Sequence, residues 1–138
     1  MRAVTRAIYH RLASDTDLTA ALPAFQGRPS IFAERSVPAQ APLPYVHIRP
    51  VISQAPWNTL DREGWEVGRD IVVYDTDKGS EGPVDDLAEQ VRLALHNRPL
   101  VIEGWHNATI TATGPADAPE EPGFTGRIVS LLIRIQRA

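Results

Sequence analysis

The sequence predicts an α+β domain spanning residues 1–138: a mostly antiparallel sheet of about four or five strands, two helices packed on one face, and a long protruding β-hairpin. Three observations predict it. Residues 69–74, Arg-Asp-Ile-Val-Val-Tyr, are strand-forming and lead through a turn-rich stretch into an amphipathic helix. Two strand-like runs, 45–57 and 65–74, flank the turn residues 58–64. A closing run, 124–136, alternates Val129, Leu131, Ile133 and Ile135 with largely polar neighbours.

Taken in order, residues 2–13 predict a helix with Val4, Ile8 and Leu12 on one face and Ala7 beside them. Arg2, Arg6 and His10 lie four apart on a second, basic face. Three cations make a small patch, which reads as a solvated face or as a surface for phosphate or an acidic partner. Asp15 is placed to cap a short second turn that Pro23 ends.

Twelve prolines exceed the usual share of roughly 5%, and seven of them fall between Pro23 and Pro56. Residues before proline are pushed toward extended conformations, so residues 25–43 predict a crossing strap. Residues 44–49 then form a strand with Tyr45, His47 and Arg49 on one side and Val46 and Ile48 on the other. Pro50 and Pro56 cannot donate to a ladder, so residues 51–57 predict an edge or bulged arm. The hairpin tip carries Trp57, Asn58, Leu60 and Trp65. Two indoles at a tip are too far from a core at the hairpin's base to both enter it, and their area suits another protein surface. The alternative is that they fold back on their own strands.

After the turn at residues 75–82, Pro83 occupies a first helical position with Asp85 and Asp86 in the positive first turn. Val84, Leu87, Val91 and Leu95 form one apolar stripe, and Pro99 stops the helix after Arg98. Residues 100–104 predict a short strand, and residues 107–113 alternate Ala108, Ile110 and Ala112 with threonines. Residues 114–123 predict an acidic, proline-laced surface loop containing Pro115, Asp117, Glu120 and Glu121, with Phe124 after it. Ile128 and Leu132 lie on the second face of the closing strand, which suggests a central strand or one covered by a neighbour.

Composition narrows the chemistry. At 138 residues and 43% hydrophobic, the chain can bury a core without staples. It has no cysteine, so thiolate metal sites and disulfides are excluded. A net charge of -3 argues against a protein whose main task is gripping nucleic acid. No run approaches the roughly 20 apolar residues of a membrane span, and the expectation is a soluble, intracellular protein. Asp75, Asp77 and Asp86 partly mimic a calcium loop, but Gly79 and Ser80 stand where a ligand and the obligatory glycine belong. Residues 79–82 open a helix without the Lys-Ser/Thr of a phosphate loop. His10, His47, His96 and His106 are scattered, and Glu103 with His106 needs a helix to share a metal. No catalytic residue, cofactor site or metal site is assigned.

The order of features is nonetheless familiar. Ile8-Tyr-x-x-Leu12 and Asp17-Leu-x-Ala-Ala-Leu22 precede Ala41-Pro-Leu-Pro-Tyr-Val46, Ile71-Val-Val-Tyr74, a helix with Ala88-Glu-x-Val-x-x-Ala-Leu95, and a closing strand from Arg127 to Ile135. Along nearly its whole length the chain resembles the small tail-completion proteins, or tail terminators, of long-tailed phages and gene transfer agents. That resemblance implies no enzyme and no cofactor. It implies a virion structural protein, assembled in the bacterial cytoplasm, whose homohexameric ring caps the tail tube at the neck. The implied partners are copies of itself, the tube protein and the head–tail connector or stopper, with DNA passing through the lumen unread and no membrane involved. It transfers no residue roles. The interface expected on physical grounds is Trp57, Asn58, Leu60 and Trp65, with Pro115, Asp117, Glu120, Glu121 and Phe124 as a docking loop. The alternatives are another neck or tail component, a stopper or tube protein, and a small ligand-binding or enzymatic domain.

Overall fold

A computed structural model describes residues 2–33, 36–58, 62–76, 82–119 and 123–137, with residue 107 described by its backbone only. In chain order the elements are α1 (Arg2–Ala13), α2 (Thr16–Ala20), β1 (Ala24–Phe25), β2 (Arg28–Pro29), β3 (Ile31–Phe32), β4 (Tyr45–Ile48), β5 (Ser53–Pro56), β6 (Gly64–Thr76), α3 (Gly82–Leu95), β7 (Trp105–Asp117) and β8 (Phe124–Arg137). Six strands form the main sheet in the order β3-β4-β6-β8-β7, with β5 also on β6, and β1 and β2 form a separate pair. Among the described residues β3 pairs with β4 in parallel and the other pairings are antiparallel.

The two long strands β6 and β8 form the spine, in register from Gly64 opposite Gln136 to Thr76 opposite Phe124. Their β-branched alternation explains the pairing, since Val67, Ile71 and Val73 fall on the same side as Val129, Ile133 and Ile135. Against that face lie the apolar stripes of α1 (Val4, Ile8, Leu12) and α3 (Val84, Leu87, Ala88, Val91, Ala94, Leu95), all buried. Each fully buried Ile or Leu contributes about 1.5–3 kcal/mol. Asp15 caps α2 by accepting from the Leu18 N–H at 3.0 Å. The Arg11 Nε donates to the Ala94 carbonyl at 3.0 Å, joining α1 to the last turn of α3.

One buried cation holds the sheet to α1. Arg69, 3% exposed, donates from Nε and Nη2 to the Arg49 carbonyl at 3.0 and 2.7 Å, and from Nη1 to the Thr5 hydroxyl. Burial pushes its pKa below the usual arginine value, and the guanidinium is held by neutral acceptors.

The structure corrects several expectations. The sheet is larger than four or five strands, because the strap supplies β3 and residues 53–56 pair as a distinct strand. The hairpin is not a free-standing arm: as β5 pairs with residues 65–68, the other edge of β6 stays bonded to β8 as far as Gly64. Helix α3 ends at Leu95 rather than 98, because Asn97 turns left-handed (φ 54) and donates its N–H to the Ile110 carbonyl. Residues 100–104 form no strand. Leu100 and Ile102 anchor in the core while Val101 is 94% exposed, and a turn closes from the Trp105 N–H to the Ile102 carbonyl. Residues 114–117 are not loop: β7 continues through Pro115 to Asp117. A register shift between Thr113 and Ala116 leaves Pro115 where no ladder donor is needed.

Candidate functional site

The second face of the sheet differs at its two ends. At one end a row of rings crosses the strands. Phe25 of β1, Phe32 of β3, Tyr45 of β4, Tyr74 of β6 and Phe124 of β8 stand with successive centroids 5.5, 5.9, 5.8 and 6.0 Å apart. Edge-on and tilted contacts at these separations suit the ring quadrupoles. Register produces the row, since Tyr45 is opposite Tyr74, and Tyr74 is opposite Gly126, whose missing side chain leaves space for the ring. Val37, Ala41 and Leu43 of the strap, Ala118 and Ile128 close over it. Beyond this cover the same face is more open: Leu132 is 37% exposed, and Thr109, Thr111 and Ser130 are exposed.

The tryptophans mark the other end. Trp57 is half-buried, with the Arg134 guanidinium 5.3 Å from its ring centre and Arg134 in turn held by Glu66 at 2.9 Å. Trp65 packs against the main core on the helix-bearing face. The two indoles therefore do not form one patch, and Trp65 does reach the core: β6 lies flat against β8, which carries the core out to Ile135 opposite Trp65. Asn58 closes the turn, accepting the Gly64 N–H at 3.1 Å. Leu60 lies outside the described residues.

A third indole joins this end, which the sequence reading missed. Trp105 begins β7 opposite Arg137, whose guanidinium sits 4.9 Å from the ring centre. Arg137 also approaches Glu63 at 3.4 Å. The signal lay in the register of β7 against β8, which one strand's sequence does not carry.

Of the expected docking loop, Pro115 is half-buried in the β7 irregularity, Asp117 is exposed, and Phe124 ends the aromatic row. Glu120 and Glu121 lie outside the described residues. Asp117 approaches Arg127 Nη1 at 3.5 Å, while Arg127 Nε donates to Asp85 at 2.6 Å. Arg2 and Arg6 are exposed and border a groove beside β1 and β3, whereas His10 meets the Tyr9 ring edge-on.

No group of three or more His, Asp or Glu among the described residues is arranged to hold a metal ion. His96 is a structural acceptor, receiving the Ala112 N–H at Nδ1 at 3.0 Å, and His47 is buried in β4. No helix among the described residues is long and apolar enough to cross a membrane. Asp77, Gly79 and Ser80 of the calcium-like stretch lie outside the described residues.

The architecture is an α+β domain with a long two-faced sheet, and the same fold occurs in a virus-like particle. A chain from the virion of a native gene transfer agent (GTA) particle is similar in structure with a TM-score of 0.72 and 21% identity, the match covering 97% of this chain and 93% of that one. The family model for tail completion protein gp17 matches residues 6–135, and the chain belongs to that family. It is a structural component of a virion tail. No curated protein matches the sequence.

Proposed function

We propose that the chain is a tail terminator: copies close into a ring, hexameric in the reading the family resemblance implies, that caps the tail tube and meets the head–tail connector. DNA passes through the ring unread. The protein acts at the neck of the particle and is assembled in the bacterial cytoplasm. The observation that carries this reading is family membership over residues 6–135 in a chain whose sheet is furnished at both ends. One end bears three indoles with Arg134 and Arg137, and the other bears the aromatic row and the acidic β7–β8 connection.

A closed ring requires each copy to offer two different, complementary patches. A stable interface takes about 800 Å² from each partner, a modest share of the 7947 Å² that one chain exposes. Trp57, with Asn58 and the neighbouring Leu60, is the proposed contact toward the tube or the next subunit, and Trp65, packed against the core on the other face, is proposed to hold that end of the sheet in place. Pro115, Asp117, Glu120, Glu121 and Phe124 form the proposed docking segment. A net charge of -3 supports passage of a duplex, because a strongly basic lumen would retain phosphates.

Imaging of the purified protein with and without tail tubes tests the reading. Single rings at tube ends are expected. Unlimited stacking or side-wall binding would assign the chain to the tube instead.

A further inference from the structure

At the β3 edge of the sheet, a groove of about 850 Å³ runs between α1 and the β1–β2 pair. Arg2 and Arg6 of α1 line it, with Arg28 of β2 beside Pro29 and the Tyr9 and Phe25 rings. Among the described residues no carboxylate lines it, and all three arginines are exposed without an ion-pair partner. The groove is therefore a concave cationic surface floored by aromatic rings. Such a surface suits an acidic segment containing proline, because guanidinium groups bind carboxylates through several N–H donors and proline rings lie well on aromatic faces.

The same chain carries such a segment at the opposite edge. The sheet order places β3 at one margin and β7 at the other. Between the end of β7 at Asp117 and the start of β8 at Phe124 the sequence reads Ala-Pro-Glu-Glu-Pro-Gly. Asp117 is exposed at its base, with Arg127 at 3.5 Å as the cation beside it. The aromatic row links the two features: Phe25 lines the groove, and Phe124 adjoins the acidic segment.

We infer that the acidic β7–β8 connection of one copy seats in the Arg2–Arg6–Arg28 groove of the next, head to tail. This rests on the ring reading and specifies its subunit contact. Complementary patches on opposite edges make a heterologous interface, which closes into a ring when the rotation per copy is right. One segment and one groove per copy leave nothing unmatched.

Two full-length variants test it by native mass spectrometry, free and on tail tubes. One carries Arg2→Glu, Arg6→Glu and Arg28→Glu; the other carries Glu120→Lys and Glu121→Lys, which leaves Asp117 and Arg127 untouched. Each alone is expected to lose the assembled species at concentrations where the unaltered chain assembles. Mixing the two is expected to restore assembly in species that alternate the two variants, since each variant's segment is opposite in charge to the other's groove. All five changes in one chain are expected to restore assembly. Rings that persist with the groove reversed would overturn this contact and leave the ring reading standing. So would unchanged assembly accompanied by lost binding of a duplex oligonucleotide, which would make DNA the occupant. An unaltered chain that forms no ring free or on tubes would remove the ring reading itself, and this contact with it.

Discussion

Tyr74 and Gly126 are partners across β6 and β8, and the tyrosine ring occupies the space a side chain at position 126 would need. A Cβ there would collide with that ring and lie 2.8 Å from the Ala118 Cβ. Gly126→Ala should therefore displace Tyr74 from the centre of the aromatic row and cost about 1–3 kcal/mol. Urea denaturation reads the loss, and near-ultraviolet circular dichroism should weaken in the tyrosine region. Unchanged stability would mean the row adapts without strain.

Arg69 gives a second prediction. Its guanidinium fork spans from β6 to the Arg49 carbonyl and the Thr5 hydroxyl, with the side chain almost wholly buried. Arg69→Ala removes these bonds and strands the carbonyl, an expected loss of about 2–4 kcal/mol. Arg69→Lys should recover little, because an ammonium cannot present two coplanar N–H groups to one oxygen. Full recovery by lysine would show that charge, rather than the fork, is what the site requires.

At the start of α3, Asp85 is about half exposed while the Arg127 side chain it contacts is 8% exposed. Arg127 also donates to the Gly126 carbonyl at 2.9 Å, so it is not abandoned when Asp85 is lost. Solvent screening at Asp85 reduces the cost further. Asp85→Ala should lower stability by about 1 kcal/mol, measured by thermal or urea unfolding, and Asp85→Lys by more, because it sets a cation against Arg127.

The elements visible in advance were those whose apolar period is local. The Val84–Leu95 stripe of α3, the Val4–Ile8–Leu12 stripe of α1 and the alternation of β8 all lie against one core. What escaped depends on register between distant strands. No local pattern near Tyr74 announces that Gly126 will face it, and none near Trp105 announces Arg137. Proline misled at position 115, where the irregularity in β7 makes its missing donor harmless. Position 101 misled differently: Leu100-Val-Ile102 alternates like a strand, yet its two buried side chains anchor it without a ladder. The basic face of α1 gained meaning only when β2 brought Arg28 beside it.

The two hairpin tryptophans should separate in their effects, because they lie on different faces. Trp65 packs against the main core, so Trp65→Ala should cost about 2 kcal/mol of folding stability whether or not the protein assembles. Trp57 lies against the Arg134 guanidinium, and its loss removes one exposed cation–π contact worth about 0.5–1 kcal/mol. Trp57→Ala should therefore melt close to the unaltered chain yet fail to cap tail tubes. Differential scanning calorimetry and tube-end occupancy by electron microscopy measure the two quantities on the same preparations. If Trp57→Ala caps tubes normally, the indole-bearing end is not the assembly surface, and Trp57 serves only to cover Arg134. If Trp65→Ala leaves stability intact and abolishes capping, the roles of the two residues are reversed, and the core contact of Trp65 is secondary to one it makes with a partner.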